Sequence, residues 1–198
     1  QFANGRTVFH ELKLERPAAL IHSEPECAGL AVYATDASAR EKWRNLAGSE
    51  MLNFEFRFLA TGGKSEAIAC DLPIAQHRQE PQMLVSHTTG KRSHTDFKSL
   101  ENFGRFALWQ ACSRYPRPHQ VRLHAMECGL HLPGEPLYIH EAGASPPLPR
   151  LPLLWLEAVE LPGEPTQRFV WPETKTKKTL MRTLERFKTQ PSPSSLRQ

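Results

Sequence analysis

The sequence predicts an α+β fold, strands and helices in one chain, on three observations. Apolar and polar side chains alternate from Met51 to Ala60 and again from Gln120 to His124, which is strand periodicity with one buried and one polar side. Apolar residues recur at helical spacing from Asp36 to Leu46 and from Thr176 to Phe187. At 198 residues and 39% hydrophobic content, the chain is long enough for one domain with a substantial core. The expected division is a domain over residues 1–190 and a disordered tail over 191–198.

In chain order, Asn4-Gly5 marks a turn, and Val8 and Leu12 suit a short helix from Thr7 to Leu14. Leu30 to Ala34 is an apolar run that reads as a buried strand. Asp36 is an N-cap candidate for the helix ending at Leu46, whose stripe includes Ala39 and Trp43. Between Met51 and Ala60, Phe54, Phe56 and Phe58 oppose Asn53, Glu55 and Arg57, and Thr61-Gly62-Gly63 closes the strand in a turn. Residues 76–95 are polar and lack periodicity; His77, His87 and His94 are too irregularly spaced to specify a metal, and none is expected. Periodicity returns only at Thr95–Leu100, and Phe103–Ala111 and Val121–His124 are expected to pair as antiparallel neighbours. Prolines 146, 147, 149 and 152 rule out a helix over 141–152. Leu151–Leu161 and Gln167–Trp171 read as strands, and Leu180, Met181, Leu184 and Phe187 mark the last helix.

Charge and cysteine usage narrow the class. The net charge is +4, but from Arg168 onward eight basic residues face Glu173 and Glu185, a balance of +6 that leaves the rest of the chain at −2. Such an end either lies along nucleic acid or is a solvated helix and tail. No apolar run approaches a membrane span, and no secretory leader is visible, although the chain begins at Gln1. Cys27, Cys70, Cys112 and Cys128 show no Cys-x-x-Cys spacing, so thiols in a reducing, intracellular compartment are expected, cytoplasm or mitochondrion.

The most informative stretch runs from Tyr115 to Tyr138. Pro116 and Pro118 hold Arg117 in an extended approach, placing it on a loop that feeds the expected strand. No acidic residue lies between Glu101 and Glu127, while Arg105, Arg114, Arg117 and Arg122 do. The field there favours an anion, and the guanidinium fork suits phosphate or carboxylate; ordinary solvated charges are the alternative.

Arg117, His119, Gln120, Arg122 and His124, with Val121 and Leu123 between them, keep the spacing of a known motif. They resemble the Gly-Arg-Thr-His-Gln-Ile-Arg-Val-His motif of the RluA-type RNA pseudouridine synthases. Gly129-Leu130-His131 and Gly134-Glu135-Pro136-Leu137-Tyr138 fall where that family's next segments fall. The resemblance implies a mixed, mainly antiparallel sheet flanked by helices, possession of RNA as partner and no cofactor. It also implies strands ahead of the catalytic motif for which only about twenty residues are present.

What the resemblance implies for the site is uneven. The family's catalytic segment reads His-Arg-Leu-Asp-Arg-x-Thr-Ser-Gly-Leu; anchored on Gly29-Leu30, its aspartate falls on Glu24 and the next arginine on Pro25. Arg122 matches the arginine that pairs with that carboxylate, and Phe56 matches the family's base-stacking tyrosine without its hydroxyl. Phe56 is the stacking candidate, with a core role as the alternative. Arg114, Arg117, His119, Gln120, Lys91 and Arg92 are the candidate RNA contacts. A kept scaffold motif beside a changed catalytic one points to a structured, ribosomal-type RNA bound without efficient isomerisation. An active synthase using Glu24, or a protein-binding scaffold within a ribonucleoprotein assembly, are the alternatives.

Overall fold

The computed structural model describes residues 18–21, 24–48, 51–63, 65–138 and 153–188. The helix expected at Thr7–Leu14, the proline-rich segment 141–152 and the tail from Pro191 lie outside them.

The chain opens with β1 (Ala18–Ala19), β2 (Cys27–Gly29) and β3 (Tyr33–Ala34). β1 pairs antiparallel with β3, whereas β2 runs parallel to the distant β11 (Leu154–Leu161). Of the single strand expected at Leu30–Ala34 only Tyr33–Ala34 forms, and the strand before it ends at Gly29. Its φ is +100°, which glycine alone adopts readily, and a Cβ there would lie 2.3 Å from the Leu156 carbonyl oxygen. The next helix, α1 (Ala37–Gly48), begins as expected: Asp36 Oδ1 accepts the Ala39 N–H at 2.8 Å. That bond, with the Thr35 hydroxyl, holds the Asp36 carboxyl below its ordinary value.

The central strand is β4 (Asn53–Gly62). Because alternate side chains point to opposite faces, Phe54, Phe56 and Phe58 enter one core and Leu59 enters another. Around it the sheet is ordered β12 (Gln167–Val170), β11, β4, β9 (Phe106–Ser113), β8 (Thr95–Phe103) and β5 (Ala67–Cys70). β10 (Leu130–His131) adds to β4. All of these pairs are antiparallel except β2 with β11, so the sheet is mixed and mainly antiparallel. Within the polar 76–95 region a small hairpin forms from β6 (Ile74–Gln76) and β7 (Met83–Val85), strands too short to register as periodicity.

One element departs from expectation outright: residues 120–127 form a helix, α2 (Gln120–Glu127), not a strand beside β9. β9 already has β4 on one side and β8 on the other, which leaves no edge for a further partner. Six successive residues, Gln120 to Ala125, are buried. A helix covered all round carries no polar stripe, so five alternating residues cannot distinguish it from a strand.

Helices cover both faces. Trp43 and Leu46 of α1 and Val121 and Ala125 of α2 join the core of Phe54, Phe56 and Phe58. On the other face α3 (Lys175–Lys188) buries Leu180 and Leu184 against Leu59, Phe103, Phe106 and Trp155. Lys177 of α3 donates to Glu157 at 2.7 Å and to the Trp171 carbonyl at 2.8 Å, anchoring its first turn. Among the described residues, no helix is long and apolar enough to cross a membrane.

Candidate functional site

The site is organised by the start of α2. His119 precedes the helix with φ 56° and ψ 9°, a left-handed conformation that costs a non-glycine residue about 1 kcal/mol or more. The turn directs the His119 N–H at Glu24 Oε1, 2.8 Å away. The His119 ring lies 2.8 Å from the Tyr138 hydroxyl through Nδ1, and that hydroxyl accepts the Met83 N–H at 2.9 Å. Burial pushes the Tyr138 phenol up to about 12, so it stays protonated at neutral pH.

One turn into α2, Arg122 is 1% exposed and gathers three carboxylates. Its Nη1 donates to Glu24 Oε2 at 3.0 Å and to Glu26 Oε2 at 3.1 Å. Its Nε and Nη2 form a fork on Glu135, at 2.7 and 2.5 Å. The guanidinium also stands 5.4 Å from the centre of the Tyr138 ring. Burial alone would disfavour its charge, but Glu135 and then Glu24 outweigh burial and raise its pKa above the ordinary value. Beside this cluster, burial and the Glu24 carboxylate push the Cys27 thiol up to about 12. The arrangement fixes a carboxylate, Glu24, at the mouth of a loop whose backbone and arginine hold both of its oxygens.

Gln120 and His124, which the motif spacing places beside Arg122, turn inward. The Gln120 amide donates to the His94 carbonyl, Thr95 Oγ1 and Ser113 Oγ at 2.8 to 2.9 Å, and its oxygen accepts the Arg117 N–H at 3.0 Å. At 1% exposure it is a pin between α2, β8 and β9, and the RNA contact expected of it is corrected to that role. His124 donates from Nε2 to the Leu72 carbonyl at 2.9 Å, which leaves Nδ1 to accept the Thr95 hydroxyl proton at 2.9 Å. That hydroxyl oxygen then receives Gln120, so the chain of donors closes with a neutral imidazole, in keeping with the burial that lowers the His124 pKa.

The basic candidates come together differently. Arg117 donates through Nε and Nη2 to the Arg92 carbonyl at 3.0 and 2.9 Å, which ties the loop before α2 to the segment after Lys91. The main chain of Lys91 bridges Ile74, and the side chains of Lys91, Arg92 and Arg114 are exposed. Phe56 lies elsewhere: it is 6% exposed, between Leu156 and Ala111 in the sheet, and offers no open face to a base. The stacking role is corrected to a core role, because its row of the sheet is roofed by the main core. Glu26, Glu135 and Tyr138 were not singled out from the sequence. The Gly134-to-Tyr138 segment is a signal for the latter two; Glu26 carries none.

No family model matches the chain. An uncharacterized RNA pseudouridine synthase of Bacillus subtilis is 27% identical over 124 residues, 62% of this chain and 41% of that protein. Ribosomal large subunit pseudouridine synthase D of Zymomonas mobilis is 26% identical over 125 residues, 62% of this chain and 39% of that protein. The match thus spans about two fifths of the length of these curated relatives. Among solved structures, human RNA pseudouridylate synthase domain containing 4 superposes with a TM-score of 0.69 at 16% identity, over 91% of this chain and 79% of that one. Human RNA pseudouridylate synthase domain containing 1 gives 0.61 at 15% identity, over 91% and 84%. Over 62% of its length the chain is thus similar in sequence to RNA pseudouridine synthases, and its fold is that of pseudouridylate synthase domains.

Proposed function

We propose that this chain binds structured RNA in the manner of a pseudouridine synthase domain but does not isomerise uridine efficiently, its partner being ribosomal RNA or an assembling ribosomal particle. The observation that carries the proposal is the changed catalytic segment, where Glu24 and Pro25 stand in the places of the aspartate and arginine that the resemblance implies. Isomerisation breaks the bond between the uracil N1 and C1′, turns the base and forms a bond from C5 to C1′; the C5 proton is lost and N1 gains one, so the composition is unchanged. A carboxylate must therefore reach C1′. Glu24 is one methylene longer than aspartate and is followed by Pro25, and both its oxygens are held by Arg122 and the His119 N–H. A displacement of a reacting group by about 1 Å reduces rate on the order of 100-fold. Phe56 supplies no stacking face, whereas Lys91, Arg92, Arg114 and Arg117 supply positive charge beside the site. The ribosomal assignment rests on the name of the Zymomonas mobilis relative.

A second reading, an active synthase in which Glu24 does the carboxylate's work, draws on one observation: Glu24 does reach Arg122, at 3.0 Å. Both readings require RNA binding, and a protein-only scaffold does not. Titration of a ribosomal RNA transcript at increasing salt is expected to show affinity falling with salt, and falling further in Arg117→Ala. Salt-independent or undetectable binding would remove both readings and leave the scaffold.

A further inference from the structure

Beside the Glu24–Arg122 cluster lies a groove that none of the roles above uses. Its walls are the Ala19–Ile21 segment on one side and Tyr115 to Pro118 on the other, and it continues over α1 at Arg40, Trp43 and Arg44. Leu52 and Phe54 form its floor. At one end it adjoins the site through the chain itself: Pro118 is followed by His119, whose N–H holds Glu24.

The chemistry of the lining is one-sided. Arg40, Arg44 and Arg117 contribute three guanidinium groups, and no acidic residue lines the groove. Arg40 and Arg44 are four residues apart on α1, so they project from one face of that helix. No carboxylate among the described residues pairs with Arg40, Arg44 or Arg117. Tyr115 is 45% exposed, and the Arg117 guanidinium stands 6.0 Å from the centre of its ring. Arginines without a carboxylate partner, Arg117 among them with its Nε and Nη2 on the Arg92 carbonyl, interleaved with an open aromatic ring suit a flexible nucleic-acid strand: charge for phosphates and a flat face for bases. An acidic peptide would answer the charge but leave the ring unused.

We propose that this groove binds a single-stranded RNA segment flanking the nucleotide presented to Glu24 and Arg122, with Tyr115 stacking on a base and Arg40, Arg44 and Arg117 contacting phosphates. The proposal rests on the RNA-binding reading above and adds where the strand runs and what state it is in. Arg40 and Arg44 belong to the element that follows the catalytic segment, so the flank and the target nucleotide are read by neighbouring parts of the chain.

The test is fluorescence anisotropy with a labelled single-stranded RNA dodecamer, on the full chain and on Tyr115→Ala, Tyr115→Phe and the double variant Arg40→Gln/Arg44→Gln. Tyr115→Ala is expected to weaken binding about 10-fold or more, and Tyr115→Phe to restore it, since stacking needs the ring and not the hydroxyl. The double arginine variant is expected to lower the slope of log affinity against log salt by about 1.4, two phosphate contacts on a single strand. Thermal unfolding of each variant at the parent temperature excludes loss of fold as the cause. If the parent binds RNA but these variants match it in affinity and slope, the groove assignment is overturned and the RNA-binding reading stands. If the parent binds a ribosomal RNA transcript but not the dodecamer, the groove assignment alone is overturned; if it binds neither, both fall. Equal affinity for polyglutamate, indifferent to Tyr115→Ala, would also overturn it.

Discussion

Arg122 concentrates the energetics of the site. A guanidinium almost wholly removed from water is tolerable only because Glu135 takes its fork and Glu24 and Glu26 share its remaining nitrogen. The partners are unequal: the Glu135 side chain is 6% exposed and that of Glu26 is 36% exposed. Arg122→Met strands Glu135 and Glu24 as buried charges and is expected to destabilise the protein by about 3–5 kcal/mol in urea unfolding. Glu26→Gln, by contrast, is expected to change stability by less than about 1 kcal/mol, because water already screens that pair. At this scale the sequence was legible where spacing carried chemistry. Glu24 and Arg122 were singled out 98 residues apart, and they do meet. It was not legible where a polar side chain serves the interior: nothing in the identity of Gln120 says that its amide faces Ser113 and Thr95 and not a ligand.

At the scale of elements, α2 shows why. Its alternation of apolar and polar residues predicts a strand only if the polar ones meet solvent, and here Gln120, Arg122 and His124 are each buried on partners of their own. Gln120→Leu is expected to lose about 1–3 kcal/mol by leaving the His94 carbonyl, Thr95 and Ser113 short of a donor, measurable as a lower denaturation midpoint with unchanged slope. The β5–β8 junction that receives Gln120 carries a titrating clamp. His94 lies 2.6 Å from Asp71 and 3.0 Å from Asp96, and the hydrogen bond to Asp71 is the main cause of its raised pKa. A histidine raised on folding contributes fully below its unfolded value and loses that contribution as pH rises through the folded value. The melting temperatures of the parent and of His94→Gln should therefore differ in mild acid and converge as pH rises through the raised folded value, by a modest amount given the exposure of the clamp. Divergence with rising pH would contradict the pairing. Two local signals were read correctly: Asp36 caps α1, and Phe54, Phe56 and Phe58 of β4 face one core.

For the whole molecule, the sheet separates two surfaces. α1 and α2 pack on the face that carries Glu24, Arg122 and the arginine groove, while α3 packs on the other. The C-terminal positive charge noted in the sequence therefore sits partly on α3, away from the site, and Lys177 there is tied to Glu157. Overall charge picked out no cluster of side chains; motif spacing picked out Glu24 and Arg122, which the fold brings together. The mainly antiparallel sheet was legible through its resemblance, and the parallel contact of β2 with β11 was not, since a three-residue pairing across more than a hundred positions leaves no local pattern. The central claim is retained RNA binding without efficient isomerisation, and it is tested most directly by tritium release from RNA labelled with [5-³H]uridine. Cellular RNA so labelled is incubated with the chain under conditions where binding is measured in parallel. Binding with no release above the protein-free control is the predicted result; release that disappears in Glu24→Ala would contradict the claim.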